Sequence, residues 1–358
     1  MSATNSLSSV GRWLLNSGIQ DSSGGFARFY DAEAGKNRPV STEITGYAAS
    51  ALVYLFQTTG NEMYLSHAWK TARFLVSTWD KELRTFPFEY PSRYSYFFDC
   101  GIIIRGLLAV WRETREDQLL ETSAAAAHAM IADFHSGRDY HPILSLPDKE
   151  PSPRTDKWSR NPGCYQLKAA MAWWDVGEIT GDTLLKQAYD EMVRASLATH
   201  AEFLPGASCP QLVMDRLHAY CYFLEGMLPM RQCPDCIQAS IDGIGVVQQH
   251  LKDIEPTFVR SDVYAQLLRA RINSAPFLPV DNAAAAIEAK HLADFHAVSD
   301  DPRIGGGFFF GRREGRMSPQ VNPVSTVFAA QALEMWRQYQ AQGKPAETKS
   351  SPCLPNLI

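Results

Sequence analysis

Three tyrosines, three carboxylates and three cations stand at corresponding places in this 358-residue sequence. Tyr47, Tyr165 and Tyr222 fall near or within apolar, helix-like stretches. Glu43, Asp99 and Asp262 fall at the first turns of such stretches, and Arg105, Lys168 and Arg216 sit within or beside them. A phenol whose pKa is lowered by a nearby cation can take up and return a proton. Two opposed carboxylates can instead hydrolyse a glycosidic bond, their separation deciding the stereochemical outcome.

Each group also has a plainer role. The carboxylates can stabilise helix N-termini by about 0.3–1 kcal/mol, and the tyrosines can be core aromatics with one satisfied hydroxyl. Arg105 and Lys168 differ because they interrupt strongly apolar helices. A charge there is costly unless paired or solvated, which points to a wet cavity with acidic partners. His218, Asp262, Trp158 and Arg312 complete the set as substrate-binding candidates: flat rings suit sugars, and guanidinium forks suit carboxylates.

The elements that carry these residues repeat. Gly46–Phe56 runs through Thr59-Gly60-Asn61 into Tyr64–Trp79. Gly101–Trp111 runs through Thr114-Arg115-Glu116 into Leu119–Phe134, and Tyr165–Trp174 through Thr180-Gly181-Asp182 into Leu184–Leu197. Repeats of this size are stacked supersecondary units that cannot bury their apolar faces alone. Continuing the count gives about twelve helices and almost no strand. Helices apolar all round alternate with helices charged on one face, as buried and half-buried elements must. The pattern predicts an (α/α)6 toroid spanning residues 1–340, with a flexible tail over 341–358. Connections entering the inner helices are long, so the long loops should gather on one face, above converging helix N-termini.

Bulk properties narrow the function. The net charge of −5 gives no footprint for nucleic acid. No window approaches the roughly 18 apolar residues of a membrane span. The first residues lack a basic region and a long apolar stretch, so the cytoplasm is the expected location. Seven cysteines form no disulfide framework; Cys233 and Cys236, with Cys209 and His218 nearby, read as reduced thiols rather than a metal site. No cofactor is expected.

The phrases Phe98-Asp99-Cys100-Gly101, Arg105-Gly106-Leu107-Leu108, Cys164-Tyr165-Gln166-Leu167-Lys168, His218-Ala219-Tyr220, Leu224-Glu225-Gly226 and Asn322–Ala329 resemble bacterial α/α-toroid proteins of polysaccharide metabolism. That group takes in six-hairpin glycosidases, glucuronyl C5-epimerases and terpenoid-cyclase-like toroids. The resemblance runs from about residue 10 to 340 and implies a carbohydrate setting. The Asp-rich acid motif of the cyclases and a prenyltransferase-like zinc set are both missing. The leading expectation is a uronate epimerase or lyase acting on an acidic glycan. Tyr47, Tyr165 and Tyr222 would be its acid/base groups, Arg105, Lys168 and Arg216 would neutralise the carboxylate, and Glu43 would orient a partner. The alternatives are hydrolysis by two carboxylates, Glu43, Asp99 and Asp262 being the candidates, or a non-catalytic glycan-binding subunit.

Overall fold

The computed structural model describes residues 3–89, 92–137, 139–204, 210–255, 257–342 and 356–358. Twelve α-helices occur among them: α1 Ala3–Asn16, α2 Thr42–Thr59, α3 Glu62–Thr78, α4 Phe97–Thr114, α5 Asp117–Phe134, α6 Leu167–Thr180, α7 Thr183–Thr199, α8 Pro210–Gly226, α9 Pro234–Ile254, α10 Ser261–Asn273, α11 Asn282–Ala293 and α12 Pro323–Gln342.

The polar turns between hairpin partners work as a stop and a start in adjacent residues. Gly60 (φ 70°) and Gly181 (φ 77°) close α2 and α6 in the left-handed conformation that glycine adopts without penalty. The next residues, Asn61 and Asp182, then cap α3 and α7 by accepting from backbone N–H groups of the first turn. Arg115 (φ 58°) takes the glycine position between α4 and α5.

Even-numbered helices pack against one another in sequence, and α12 returns to α2, so the inner layer closes into a ring. Odd-numbered helices pack outside it: α3 on α2, α5 on α4, α7 on α6, α9 on α8, α11 on α10 and α1 on α12. The ring closes tightly because small residues face each other. A Cβ at Gly106 would lie 2.5 Å from the Gly46 carbonyl oxygen, and one at Gly101 would lie 2.4 Å from that of Ala169. The architecture is the expected (α/α)6 toroid.

Short strands, which the sequence reading leaves out, fasten the long loops. Val40–Ser41, Tyr94–Tyr96, Phe258–Arg260 and Gln320–Val321 each run up to an inner helix. They pair antiparallel with Phe26–Ala27, Ile143–Ser145, Gly311–Arg313 and Tyr30–Asp31 respectively. Two or three residues are too few for an alternating pattern to declare itself.

Of the predicted flexible tail, residues 343–355 lie outside the described residues. Its last three are not free: Leu357 and Ile358 are buried in the core. The Ile358 oxygen accepts from Lys168 Nζ (3.2 Å) and Arg269 Nη1 (3.3 Å), while Gln331 grips the Asn356 carbonyl at 2.6 Å. No described helix is long and apolar enough to cross a membrane.

Candidate functional site

Glu43 and Asp99 occupy the first turns of neighbouring inner helices, α2 and α4. Ser41 caps α2 by accepting from Ile44 N, and the Thr42 hydroxyl donates to the Phe88 carbonyl (2.7 Å), fixing how the helix meets the rim. Glu43 keeps partial exposure although protein surrounds most of its carboxylate. Burial pushes its pKa up to about 7, with Arg28 pulling the other way. Asp99 is buried and also raised well above the usual range, by burial first and by the charge of Glu43 second. Its Oδ2 has no hydrogen-bond partner among the described residues. Two adjacent carboxyls of this kind resist ionising together.

Tyr47 lies one turn further along α2, edge-on to Phe328 at 5.3 Å. Its hydroxyl faces that of Tyr222, each perturbing the other, without closing a hydrogen bond of good geometry. Beyond Tyr222, the His218 ring stands 4.5 Å away. His218 Nδ1 lies 2.9 Å from Gln266 Oε1 and 3.4 Å from Asp262 Oδ2, an arrangement that places its proton on Nδ1. Burial, then Arg260, lowers its pKa to about 4, so the imidazole is neutral at pH 7 and Nε2 keeps its lone pair. Burial would raise Asp262, but Arg260 and His218 outweigh it and hold the carboxyl low. Arg260 donates to both of its oxygens, at 3.0 and 2.6 Å.

Buried polar atoms without partners occur on the inner helices here as well as on outer ones, as at Asp190 and His250. Tyr47 Oη, Asp99 Oδ2, Gln266 Nε2 and Ser325 Oγ, from α2, α4, α10 and α12, have no hydrogen-bond partner among the described residues. Each unpaired buried group costs about 1–3 kcal/mol, and such groups concentrate at functional sites.

The remaining predicted residues go elsewhere. Lys168 and Arg105 do find acidic partners, but not in a wet cavity. Lys168 is fully buried, with Nζ 3.0 Å from Glu225 Oε2, and Arg269 binds the other oxygen of Glu225. Burial lowers Lys168 to about 7, whereas Arg269 and Lys168 hold Glu225 low against the effect of its own burial. Arg105 Nε donates to Asp175 at 2.9 Å, in another buried pair. Arg216 donates to the Phe203 carbonyl (2.7 Å) and lies over that ring. Tyr165 packs among Phe98, Trp158 and Phe203, its hydroxyl donating to Asn161 O. Arg312 sits by Glu255 on a rim strand, 3.6 Å away.

The three tyrosines therefore run against the expected activation: burial raises Tyr47, Tyr165 and Tyr222 instead of a cation lowering them. Arg28, Glu225, Arg269 and Asp175 were missed as partners. Glu225 carried a signal, since it follows the apolar run Cys221–Leu224 of α8; Arg269 did not stand out, because α10 also carries Asp262 and Arg271. No group of three His, Cys, Asp or Glu among the described residues could hold a metal ion, and Cys209 lies outside those residues.

The fold has counterparts among solved structures. Cellobiose 2-epimerase from Spirochaeta thermophila is 14% identical, over 94% of this chain and 98% of that one, with a TM-score of 0.72. A D-mannose isomerase is 9% identical over 94% and 97%, with a TM-score of 0.70. Unsaturated glucuronyl hydrolase from Bacillus sp. GL1 is 14% identical over 96% and 97%, with a TM-score of 0.67. No protein-family model matches the sequence, and no curated protein is similar to it in sequence. The chain has the toroid fold of these proteins.

Proposed function

We propose that this protein is an enzyme that moves a proton on a sugar at the mouth of its ring, as an epimerase or isomerase does. The observation that carries this reading is the opposite displacement of two groups on either side of Tyr222: Glu43 raised to about 7 and His218 lowered to about 4. Titratable groups pushed apart by their surroundings divide acid and base roles. Glu43, poised near neutral pH and partly exposed, takes a proton from a carbon beside a carbonyl and returns it. Asp99, which burial pushes toward its protonated form, donates a hydrogen bond from that form to the oxygen on which negative charge grows. Neutral His218 accepts a hydrogen bond from a sugar hydroxyl through Nε2. The names of the structural neighbours, two of which are an epimerase and an isomerase of sugars, favour this chemistry.

Several predicted roles are replaced. The tyrosines become walls and hydroxyl partners rather than bases. Arg105 and Lys168 are engaged by Asp175 and Glu225, so they supply no clamp for a substrate carboxylate. Hydrolysis is the less favoured reading because Glu43 and Asp99 stand side by side, and the carboxylate across the ring, Asp262, has both oxygens bound by Arg260.

The test is solvent exchange. A panel of reducing sugars and uronate oligosaccharides is incubated with the protein in deuterated water and read by NMR. Deuterium should enter at the carbon beside the carbonyl or carboxyl of at least one sugar, and Glu43→Gln should abolish it. Absence of exchange across the panel, or exchange unaffected by Glu43→Gln, would reject the proposal.

A further inference from the structure

We infer that Cys233 and Cys236 form a dithiol exchange site, which takes low-molecular-weight disulfides of the glutathione type and closes reversibly into an intramolecular disulfide. This site is separate from the ring mouth and independent of the sugar-active reading.

The two cysteines begin the outer helix α9, Pro234–Ile254. Cys233 is its N-cap, and Cys236 stands in the first turn. An N-cap side chain turns back over the first turn of its helix, so the extended backbone of Cys233 (φ −69°, ψ 128°) directs its sulfur toward Cys236. That backbone is held on both sides. The Cys233 N–H donates to the Met230 carbonyl at 2.8 Å, and the Cys233 carbonyl accepts from Ile237 N at 3.0 Å. Pro234 then enters the helix with a φ already fixed by its ring. The two sulfurs come within hydrogen-bonding reach of each other. Closing the bond asks for side-chain rotation, without rebuilding the chain.

Exposure divides the roles. Cys233 is half-buried between exposed Gln232 and Pro234, and it alone among the described cysteines is not buried. Cys236 is buried and faces Tyr189 of α7. The Tyr189 hydroxyl donates to the Gly226 carbonyl at 2.6 Å, so the wall behind Cys236 is fixed. An incoming disulfide reaches the first sulfur and not the second. The Cys236 thiol is pushed up to about 12, by burial first and by the Cys233 sulfur second. That second contribution ends once Cys233 is covalently capped, which readies Cys236 for the next step.

The exchange runs in two displacements. Cys233, as its thiolate, attacks one sulfur of the small disulfide; that S–S bond breaks, and one half leaves as a thiolate. Cys236 then gives up its proton and attacks the Cys233 sulfur, so the 233–236 bond forms and the other half leaves. Two protein thiols are oxidised, the small disulfide is reduced to two thiols, and the protons pass to the departing thiolates through water.

The test uses the full chain with Cys209 and Cys353, which lie outside the described residues, changed to Ser. Folded protein is equilibrated in mixtures of reduced and oxidised glutathione, quenched in acid, alkylated and digested with trypsin, which releases residues 232–252 as one peptide. Mass spectrometry should show this peptide losing two hydrogens as the buffer becomes oxidising and regaining them with dithiothreitol. Cys236→Ser should collect a single glutathione on Cys233, about tenfold more than Cys233→Ser collects on Cys236. Circular dichroism checks that each variant is folded. A peptide that stays unoxidised in folded protein at every glutathione ratio would overturn the site, and so would equal capture of glutathione by the two variants.

Discussion

The Tyr222 ring meets the His218 ring edge-on, with centroids 4.5 Å apart and planes at 65°. From there its hydroxyl reaches the Tyr47 hydroxyl and feels the charge of Glu43. Tyr222 is thus the spacer between Glu43 and His218 at the ring mouth, contributed by α8 to a site otherwise begun by α2 and α4.

Tyr222→Phe keeps the ring and its packing against Phe98 and His218 but deletes the hydroxyl. Melting temperature should change by only a few degrees. Turnover of whichever sugar shows exchange should fall about tenfold, because a hydrogen bond near the reacting groups contributes on the order of 1 kcal/mol. Steady-state kinetics with unchanged turnover would remove the hydroxyl from the mechanism.

Glu43 also sets a pH dependence of stability. Its folded pKa, about 7, lies above the ordinary 4.5, so the folded state binds the proton more tightly than the unfolded state. The resulting stabilisation is full below about pH 4.5 and is lost as pH rises through 7. The upper bound is about 3 kcal/mol, from roughly 1.4 kcal/mol per pKa unit. Glu43→Gln should therefore be more stable than the parent at pH 8 and nearly equal to it at pH 4.5. Urea denaturation at the two pH values measures the difference.

The buried trio of Lys168, Glu225 and Arg269 predicts an asymmetry. Lys168→Met leaves Glu225 paired with Arg269 and should cost about 1–2 kcal/mol, because the remaining guanidinium still neutralises the buried carboxylate and no charge is stranded. Glu225→Gln removes the carboxylate that holds the charges of both Lys168 and Arg269 in the core and should cost about 3–5 kcal/mol. Equal losses on chemical denaturation would mean that Arg269 does not share the carboxylate.

The fold was legible because buried and half-buried helices alternate, and because Thr59-Gly60-Asn61 and Thr180-Gly181-Asp182 each spell a helix stop followed by a helix start. Glu43 and Asp99 were legible as first-turn residues of adjacent inner helices. Side-chain direction was not legible. Arg105 and Lys168 looked like ligands of a cavity, yet each turns to a carboxylate on the ring's own helices, Asp175 and Glu225, that are 70 and 57 residues away. The protonation of the tyrosines was also misjudged, since whether burial or a cation dominates a phenol depends on distances that spacing does not give. The docking of Leu357 and Ile358 escaped notice because two apolar residues at the end of a polar segment form no periodic pattern.

The central claim is that Glu43 titrates near neutral pH, so that it can both take and return a proton there. Carbon-13 NMR of the protein labelled at glutamate side-chain carboxyls, followed from pH 4 to 9, tests it most directly. One resonance should titrate with a midpoint near 7 and be missing from Glu43→Gln. If every glutamate titrates below about pH 5, or if the high midpoint survives in Glu43→Gln, the account of this site is wrong.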